Sequence, residues 1–571
     1  MNTDVICGRR AAFRFFSLIL FLALPLAAWP QATGTGVITG RVSNAATKSN
    51  LEGAVVRLEG TMVSATTARD GTFRLQAPAG SCTLIASYTG LDDQTIQVSV
   101  QAGETVRQDI GLTSVVYQLE KVVVAGEREG NALAITLQRQ LPNLKNVVSS
   151  DAFGSLAGNP ADLLIRLPGV AGESVDGDIR YVQIRGMSRN LNTVTVDGNR
   201  MADAASAGSS REFQFQQISS DTIERMEVTK SPTPDMDADS IGGAINMVSK
   251  SAFDTSPGRH ISGSVGSTWK VTDKRDQNHP NFSVSYAEVF GGKLGVAFNA
   301  GARSHLSSSD KSEQVPQDTL AEPHYIYSFS LRDSRNTRTR WGGGLKLDFK
   351  LSEDTRFFFN TTLNRHDENS NHNLFLVSTA QTIASVDASG NPTGSGAILP
   401  GFTNQRTEWR AINNSISQLT TNANNKHGES IHSQLGAVHR FEGLDFDYDA
   451  YVSRSTTRYE SPGNAAFRLT ARGIGMRLDQ TGDRFFPQFT QPAGPSMFEV
   501  GSYRDTLLTI ERSEGVDRYW GAAFNARKQL PAFKRMWVKA GLRVREQTRD
   551  LSNTSTRHNY IGPGGSMATA D

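Results

Sequence analysis

The chain has 571 residues, more than one ordinary domain needs. Its 59 Lys and Arg nearly cancel 57 Asp and Glu, which excludes the broad basic surface of a general nucleic-acid binder. With 2 Cys in all, one of them in a segment expected to be removed, neither a disulfide framework nor a cysteine metal site can be built.

Residues 1–32 read as an export signal. Arg9, Arg10 and Arg14 precede an apolar run from Phe15 to Ala28, and Ala27, Ala28 and Ala32 offer small residues for cleavage. Cys7 precedes the run, so Cys82 is the remaining thiol, expected as a small buried side chain on a strand. No later stretch approaches the roughly 20 apolar residues that a membrane helix needs.

Residues 36–113 read as a small β-sandwich. Strands are expected at Val37–Val42, Ala54–Leu58, Thr72–Gln76, Thr83–Tyr88, Thr95–Val100 and Thr105–Ile110, with Asp70-Gly71 as a tight turn. The stretch from Gly36 through "RDGTFRLQAPAGSCTLIASYTGL" resembles the carboxypeptidase regulatory-like domain, a transthyretin-like sandwich without catalytic residues. Residues 114–135 follow as a linker. In it Lys121–Ala125 is a short strand-forming run bracketed by Glu120 and by Glu127, Arg128 and Glu129. Such a segment either finishes the sandwich or adds as a strand to a partner's sheet edge.

Residues 136–250 read as a mixed α/β unit. A helix starts at Asn159-Pro160, shows Ala161, Leu164, Ile165 and Leu167 on one face, and stops at Pro168-Gly169. Strands follow at Tyr181–Arg185, Asn192–Val196 and Met226–Lys230, with Asp197-Gly198 as a hairpin-type turn. The run Ile241–Ser249 opens on Gly242-Gly243, where a side chain would obstruct close backbone approach. Three ordered motifs, "ADLLIRLPGV", "RYVQIRGMSRNLNTVTVDGNRMA" and "IERMEVTKSPTPDMDADSIGGAINMVSK", resemble the plug domain of TonB-dependent outer-membrane receptors, with phrasing nearest the Xanthomonas and Caulobacter type. The resemblance marks Arg185, Gly186, Asp197, Gly198, Arg200, Glu227, Gly242, Gly243 and Asn246 as plug-motif residues. It also makes Glu120, Lys121, Val122, Val123, Val124 and Ala125 the candidate TonB box, the strand gripped by TonB.

Asp235, Asp237 and Asp239 alternate as calcium ligands can, but Ser240 and Asn246 stand where a helix-loop-helix site needs Gly and Glu. A solvated acidic loop is the expectation, with no metal.

From about residue 258 the pattern has period two, in a segment taken as 251–571. Leu345, Leu347 and Phe349 alternate with Lys346, Asp348 and Lys350. Leu444, Phe446, Tyr448 and Ala450 alternate with Asp445, Asp447 and Asp449, and Leu542 and Val544 with Arg543 and Arg545. Short turns "GGK", "KLSED" and "EG" alternate with long polar stretches, 305–338 and 366–430, as in outer-membrane barrels. His427 and His432 are expected in an external loop, facing solvent. Beyond residue 456 the parity is lost.

Roughly ten to twelve strands of ordinary transmembrane length are expected. A cylinder of eleven, at ~4.8 Å spacing and ~40° tilt, is about 22 Å across, too narrow for a plug about 34 Å wide, whereas a cylinder of 22 strands is wide enough. The 251–571 segment is therefore expected to be the N-terminal part of a transmembrane barrel, a curved wall around the plug with unpaired first and last strands.

The fold class is mainly β: signal peptide, sandwich, α/β plug and partial antiparallel barrel. No nucleophile elbow, zinc-protease helix, phosphate loop or paired-cysteine motif is present, so no catalytic residue, metal or cofactor is assigned. The resemblance implies uptake of a scarce ligand (iron chelate, cobalamin or oligosaccharide) across the Gram-negative outer membrane. The plug and N-terminal domain would face the periplasm, with TonB and its inner-membrane energising complex, outer-membrane lipid and a small extracellular ligand as partners. A passive porin or surface adhesin, and a secreted glycan-processing protein, are the alternatives.

Overall fold

The computed structural model describes residues 34–114, 129–140, 143–150, 158–175, 177–204, 207, 209–234, 236–269, 278–441, 443–530 and 536–559. The export signal and the candidate TonB box, Glu120–Ala125, lie outside the described residues.

The N-terminal unit is a two-sheet sandwich. Its strands are β1 (Thr35–Asn44), β2 (Val55–Leu58), β3 (Ser64–Thr66), β4 (Thr72–Pro78), β5 (Gly80–Ser87), β6 (Gln94–Val100), β7 (Thr105–Arg107) and β8 (Ile110–Leu112). One sheet runs β4-β1-β7, with β8 also on β1; the other runs β3-β2-β5-β6. Alternate residues Ile38, Val42, Val56, Leu58, Phe73, Leu75 and Leu84 fill the space between them. The run expected as one strand, Thr105–Ile110, is two strands. Between them Asp109 Oδ1 accepts the Arg41 N–H at 2.9 Å, so a side chain replaces a ladder bond. Cys82 lies on β5, half-buried against the core, and burial raises its thiol pKa.

Part of the expected linker is helical. Helix α1 (Glu129–Gln140) crosses the expected boundary at residue 135. Gln138 Oε1 accepts a bond from Asn146, and the Gln140 amide donates to the Gly53 carbonyl of the sandwich.

Beyond α1 come β9 (Lys145–Ser149), α2 (Ala161–Leu164), β10 (Val170–Val175), β11 (Asp178–Ile184), β12 (Asn192–Val196), β13 (Asn199–Arg200), β14 (Ile223–Thr229) and β15 (Gly243–Ser249). A five-stranded sheet has the order β13-β12-β15-β14-β9, and β10-β11 is a separate hairpin. Just ahead of helix α2, Asn159 Oδ1 accepts the Ala161 N–H at 3.0 Å. The helix buries Leu163 and Leu164, while Ile165, expected on the apolar face, is exposed. Val194, Phe215, Met226, Val228, Ile245 and Met247 complete a core separate from that of the sandwich.

The remaining strands are β16 (Arg259–Trp269), β17 (Asn278–Phe290), β18 (Leu294–Pro316), β19 (Ile326–Lys350), β20 (Thr355–Ser378), β21 (Ser385–Val386), β22 (Pro392–Thr393), β23 (Arg406–Trp409), β24 (Ile416–Phe441), β25 (Leu444–Arg472), β26 (Gly475–Asp479), β27 (Gln488–Ala493), β28 (Asp505–Gln529) and β29 (Trp537–Asn559). Nine form one antiparallel wall, β16-β17-β18-β19-β20-β24-β25-β28-β29. Its outermost strands, β16 and β29, do not pair with each other among the described residues.

Among the described residues nine wall strands stand where ten to twelve were expected, because they are longer than expected. From β18 onward they run 23 to 29 residues. The stretches 305–338 and 366–430, expected as loops, are largely strand. Ser304–Ser312 pairs residue by residue with Thr339–Leu331, and Asn371–Ser378 with Ala423–Ile416. Much of the face these extensions bury is polar, as at Ser334, Asn336, Arg338 and Ser370, so apolar alternation ceases while the backbone ladder continues. The parity lost after residue 456 has a local cause: the β25–β28 register shifts between Arg458 and Asn464.

The outward face near the short turns is apolar. Trp341, Phe349, Phe357, Phe359, Leu363, Ile431, Leu435, Val452, Trp520, Phe524, Leu542 and Val544 all point into solvent-accessible space. From Trp341 to Phe349 the belt spans about the length of a transmembrane strand. Among the described residues no helix is long and apolar enough to cross a membrane. At the opposite end the connections 379–415 and 473–504 fold together over the strand tips. Trp409, fully buried, packs with Phe329, Val377, Ile474, Met476 and Tyr503, and its indole N–H donates to the Ile474 carbonyl at 3.2 Å.

Candidate functional site

The inward face of the wall is charged, and it is filled by the unit between α1 and Lys250. Period-two alternation puts Lys346 and Asp348 on this face, opposite the apolar Leu345 and Leu347. Lys346 Nζ lies 3.3 Å from Asp197 Oδ2 and 2.9 Å from Ser249 Oγ. The Asn360 amide donates to the same Asp197 oxygen at 2.6 Å, and Ser251 donates to Asp348 at 2.7 Å. Asn199 donates to Asp449 at 2.6 Å. Arg303 pairs with Asp221 at 2.8 Å, and Lys426 donates to Gln214 at 3.0 Å. Backbone N–H groups of Ala202, Asp203 and Ala204 donate to Ser453, Asp517 and Ser455. The wall thus wraps around the unit from β18 to β29.

Asp197 and Gly198 make the hairpin turn read from the sequence, both with positive φ, 46° and 89°. The turn aims the Asp197 carboxylate away from its own strand to take the Ser249 N–H at 3.0 Å and the wall's Lys346 and Asn360. Burial alone would raise its pKa; Lys346, then Arg69 and the Ser249 hydrogen bonds, outweigh burial and hold it at about 2.

Asn246 Oδ1 accepts from Thr195 Oγ1 and from the Gly198 N–H, each at 2.9 Å, and its amide donates to Glu227 at 3.3 Å. Glu227 is buried, which opposes its charge, but Lys145 at 2.6 Å and Arg225 at 3.2 Å hold its pKa below the usual range. Gly242 and Gly243 are glycines for want of space. A Cβ on the first would lie 2.4 Å from Asn192 Oδ1, and one on the second 2.8 Å from Ile184 Cδ1 and 2.9 Å from the Thr229 carbonyl. Arg185, at φ 55°, and Gly186, at φ 70°, form an exposed turn from which the Arg185 guanidinium donates to the Gly242 carbonyl at 3.1 Å.

The acidic loop is not solvated as expected. Asp237 pairs with Arg200 at 2.9 Å, with Arg543 at 3.5 Å and with Arg545. Asp239 pairs with Arg200 and Arg211; Asp235 lies outside the described residues. Asp237 answers arginines of β29, a contact hidden from a reading in which that strand's partners were unknown. Among the described residues no group of three or more His, Cys, Asp or Glu could hold a metal ion. His427 and His432 are on β24. His432 is fully buried and His427 lies 2.6 Å from Asp367, so neither sits in the expected loop.

Sequence reading missed the deepest contact. Asp178 accepts from Asn159 at 2.7 Å and pairs with Arg338 at 3.2 Å and with Arg340. Arg338 also holds Glu368 at 2.8 Å. Burial opposes the Asp178 charge, but Arg340 and Arg338 lower its pKa. The one signal was "NTRTRW", two arginines at strand spacing on the face opposite Trp341.

With this geometry established, the family description "TonB-dependent Receptor Plug Domain" matches residues 138–244, the unit enclosed by the wall. The chain carries a TonB-dependent receptor plug domain. The description "CarboxypepD_reg-like domain" matches residues 38–124, the sandwich and five residues of the candidate TonB box. No curated protein matches the chain. Among solved structures, the unliganded ferric citrate transporter FecA is similar at 12% identity, over 74% of this receptor and 75% of that chain, with a TM-score of 0.27. The copper transporter OprC is similar at 12% identity, over 74% and 61%, at 0.31. A cohesin–dockerin complex from Acetivibrio cellulolyticus matches at 17% identity over 15% of this receptor, with a TM-score of 0.13, and the receptor spans 62% of that chain's length.

Proposed function

We propose that the receptor takes up a scarce small ligand across the Gram-negative outer membrane, using energy delivered by TonB. The observation that carries this reading is a plug-family domain seated on the charged face of a wall whose other face is an apolar belt. The belt suits lipid, and the polar seam suits a domain that must move against the wall, because ionic contacts exchange for water at lower cost than an apolar core. The ligand binds at the end with the folded connections, the plug blocks the path at rest, and ligand binding changes the exposure of Glu120–Ala125 to TonB on the periplasmic side. An iron chelate, cobalamin or an oligosaccharide is the ligand class. The domains are a sandwich at 36–113, a linker at 114–135, a plug at 136–250 and a wall from 251.

Growth on a panel of such nutrients, each as sole source, tests the proposal in cells with and without the receptor gene. A nutrient whose use requires both the receptor gene and TonB supports it. Use that requires the receptor gene but persists without TonB points to a passive pore.

A further inference from the structure

The sandwich is docked at the short-turn end of the wall, and its contacts cross the seam between plug and wall. Neighbouring residues of one tight turn hold different bodies. Arg69 reaches the plug and the segment that leaves it: its Nε donates to Asp254 at 2.5 Å, and its Nη2 meets Asp254 and, in the plug, Glu224 and, at 2.8 Å, the Ser249 carbonyl. Asp70 reaches the wall, accepting from Lys350 Nζ at 2.9 Å. Gly71, at φ 74°, turns the chain so that both side chains leave the same tip; a Cβ there would meet the Val42 carbonyl at 2.6 Å. Around this tip Asn50 donates to the Phe253 carbonyl at 2.9 Å, Arg225 pairs with Glu52 at 3.4 Å, and Arg74 pairs with Asp354 at 3.3 Å.

We propose that the Ala68–Thr72 turn is a releasable staple across the plug–wall seam: Arg69 holds the plug, Asp70 holds the wall, and the sandwich lifts off before the plug moves. Three observations carry this. The sandwich and the plug have separate apolar cores, so lifting off tears neither. The contact is ionic, the kind of interface across which domains move. A cavity of about 400 Å³ lies behind the staple, lined by Glu52, Arg69, Tyr88, Glu224, Lys250 and Asp254, so water can reach the ion pairs as they part. Arg225 stays near the Asp254 carboxylate when Arg69 leaves, and a buried carboxylate left without any cation would make release far costlier.

The inference goes beyond the transport reading, and its test does not involve uptake. The full chain in nanodiscs carries spin labels at Met62→Cys in the sandwich and Leu351→Cys in the wall turn, with Cys82 replaced by Ser. The unaltered staple gives one narrow distance. Arg69→Glu broadens it and speeds amide exchange in Ile223–Thr229 about tenfold, while exchange in Thr35–Asn44 keeps its protection. A folded Arg69→Glu chain with unchanged distance and exchange overturns the staple. Should that chain not fold, Arg74→Glu at the half-exposed rim reads the same docking. Broadening there that Asp354→Arg reverses supports the staple; an unchanged distance overturns it.

Discussion

Asp197 of the plug and Lys346 of the wall face each other at 3.3 Å, 149 residues apart in the chain, both largely withdrawn from solvent. One is the first residue of a hairpin turn and the other an inward position on an alternating strand, so each was placed by local rules that knew nothing of its partner. The pair holds the turn of a central plug strand against the wall.

Removing one member should be costly. Asp197→Asn is expected to lose part of the pairing, and Lys346→Met to strand a buried carboxylate at about 3–5 kcal/mol. The sign with pH follows from the pKa of about 2. A carboxyl held below its ordinary value stabilises the fold above that value, and the contribution disappears as pH falls through the folded pKa. About 2 kcal/mol is at stake between pH 5 and pH 2. Melting curves should show this loss in the unaltered receptor and a flatter acid limb in Asp197→Asn.

The close approach at Gly243 gives a second test. Gly243→Ala pushes a methyl against Ile184 and the Thr229 carbonyl and should cost about 1–3 kcal/mol. Denaturant unfolding of the plug should shift accordingly, whereas Gly198→Asn, at a turn position open to solvent, should change little.

The belt predicts a contrast between the two faces of a strand. Leu435→Arg on the outward face is expected to cost about 2–4 kcal/mol if its position is near the bilayer midplane. It should lower the amount of receptor recovered from outer membranes. Gln434→Arg, one residue along on the inward side, should be assembled far better. Equal recovery of both would remove the case for a lipid-facing belt.

Docking of the sandwich should depend on pH through Glu224. Burial, and then Asp254, push its carboxyl up to about 8; Arg69 and Glu52 face it from the sandwich, and Arg225, Asp254 and Lys250 from the plug side. Lifting the sandwich returns the group toward its ordinary value of 4.5. The docked state therefore holds a proton that the free state releases, and docking strengthens as pH falls from 8 toward 5. The label distance should narrow over that range, and Glu224→Gln should abolish the trend.

Much of the fold was legible because local rules coincide with tertiary ones. Leu345 and Lys346 alternate because one face meets apolar surroundings and the other meets the plug. Asp197-Gly198 announces its turn by backbone preference alone. What escaped was set by partners distant in sequence. Ser304–Ser312 has no apolar face to betray a strand, yet its ladder with Leu331–Thr339 is unbroken. Asp237 read as solvated because its arginines, Arg543 and Arg545, come some three hundred residues later. Asp70-Gly71 was legible as a turn, but nothing local says that the turn is a junction between three bodies. The candidate site is thus half legible: the plug motifs are visible in sequence, and the wall's answering charges are visible as charges but not as partners.

The central claim is coupling to TonB through Glu120–Ala125, and binding measures it most directly. The purified periplasmic domain of TonB is titrated into the receptor in nanodiscs, unaltered and with Val123→Pro, which removes a backbone donor from any added strand. The account predicts saturable binding to the unaltered receptor and its loss in Val123→Pro, with thermal unfolding of the sandwich unchanged. Equal binding by both would contradict it, and so would loss of binding accompanied by a destabilised sandwich, which would make residues 120–125 its last strand.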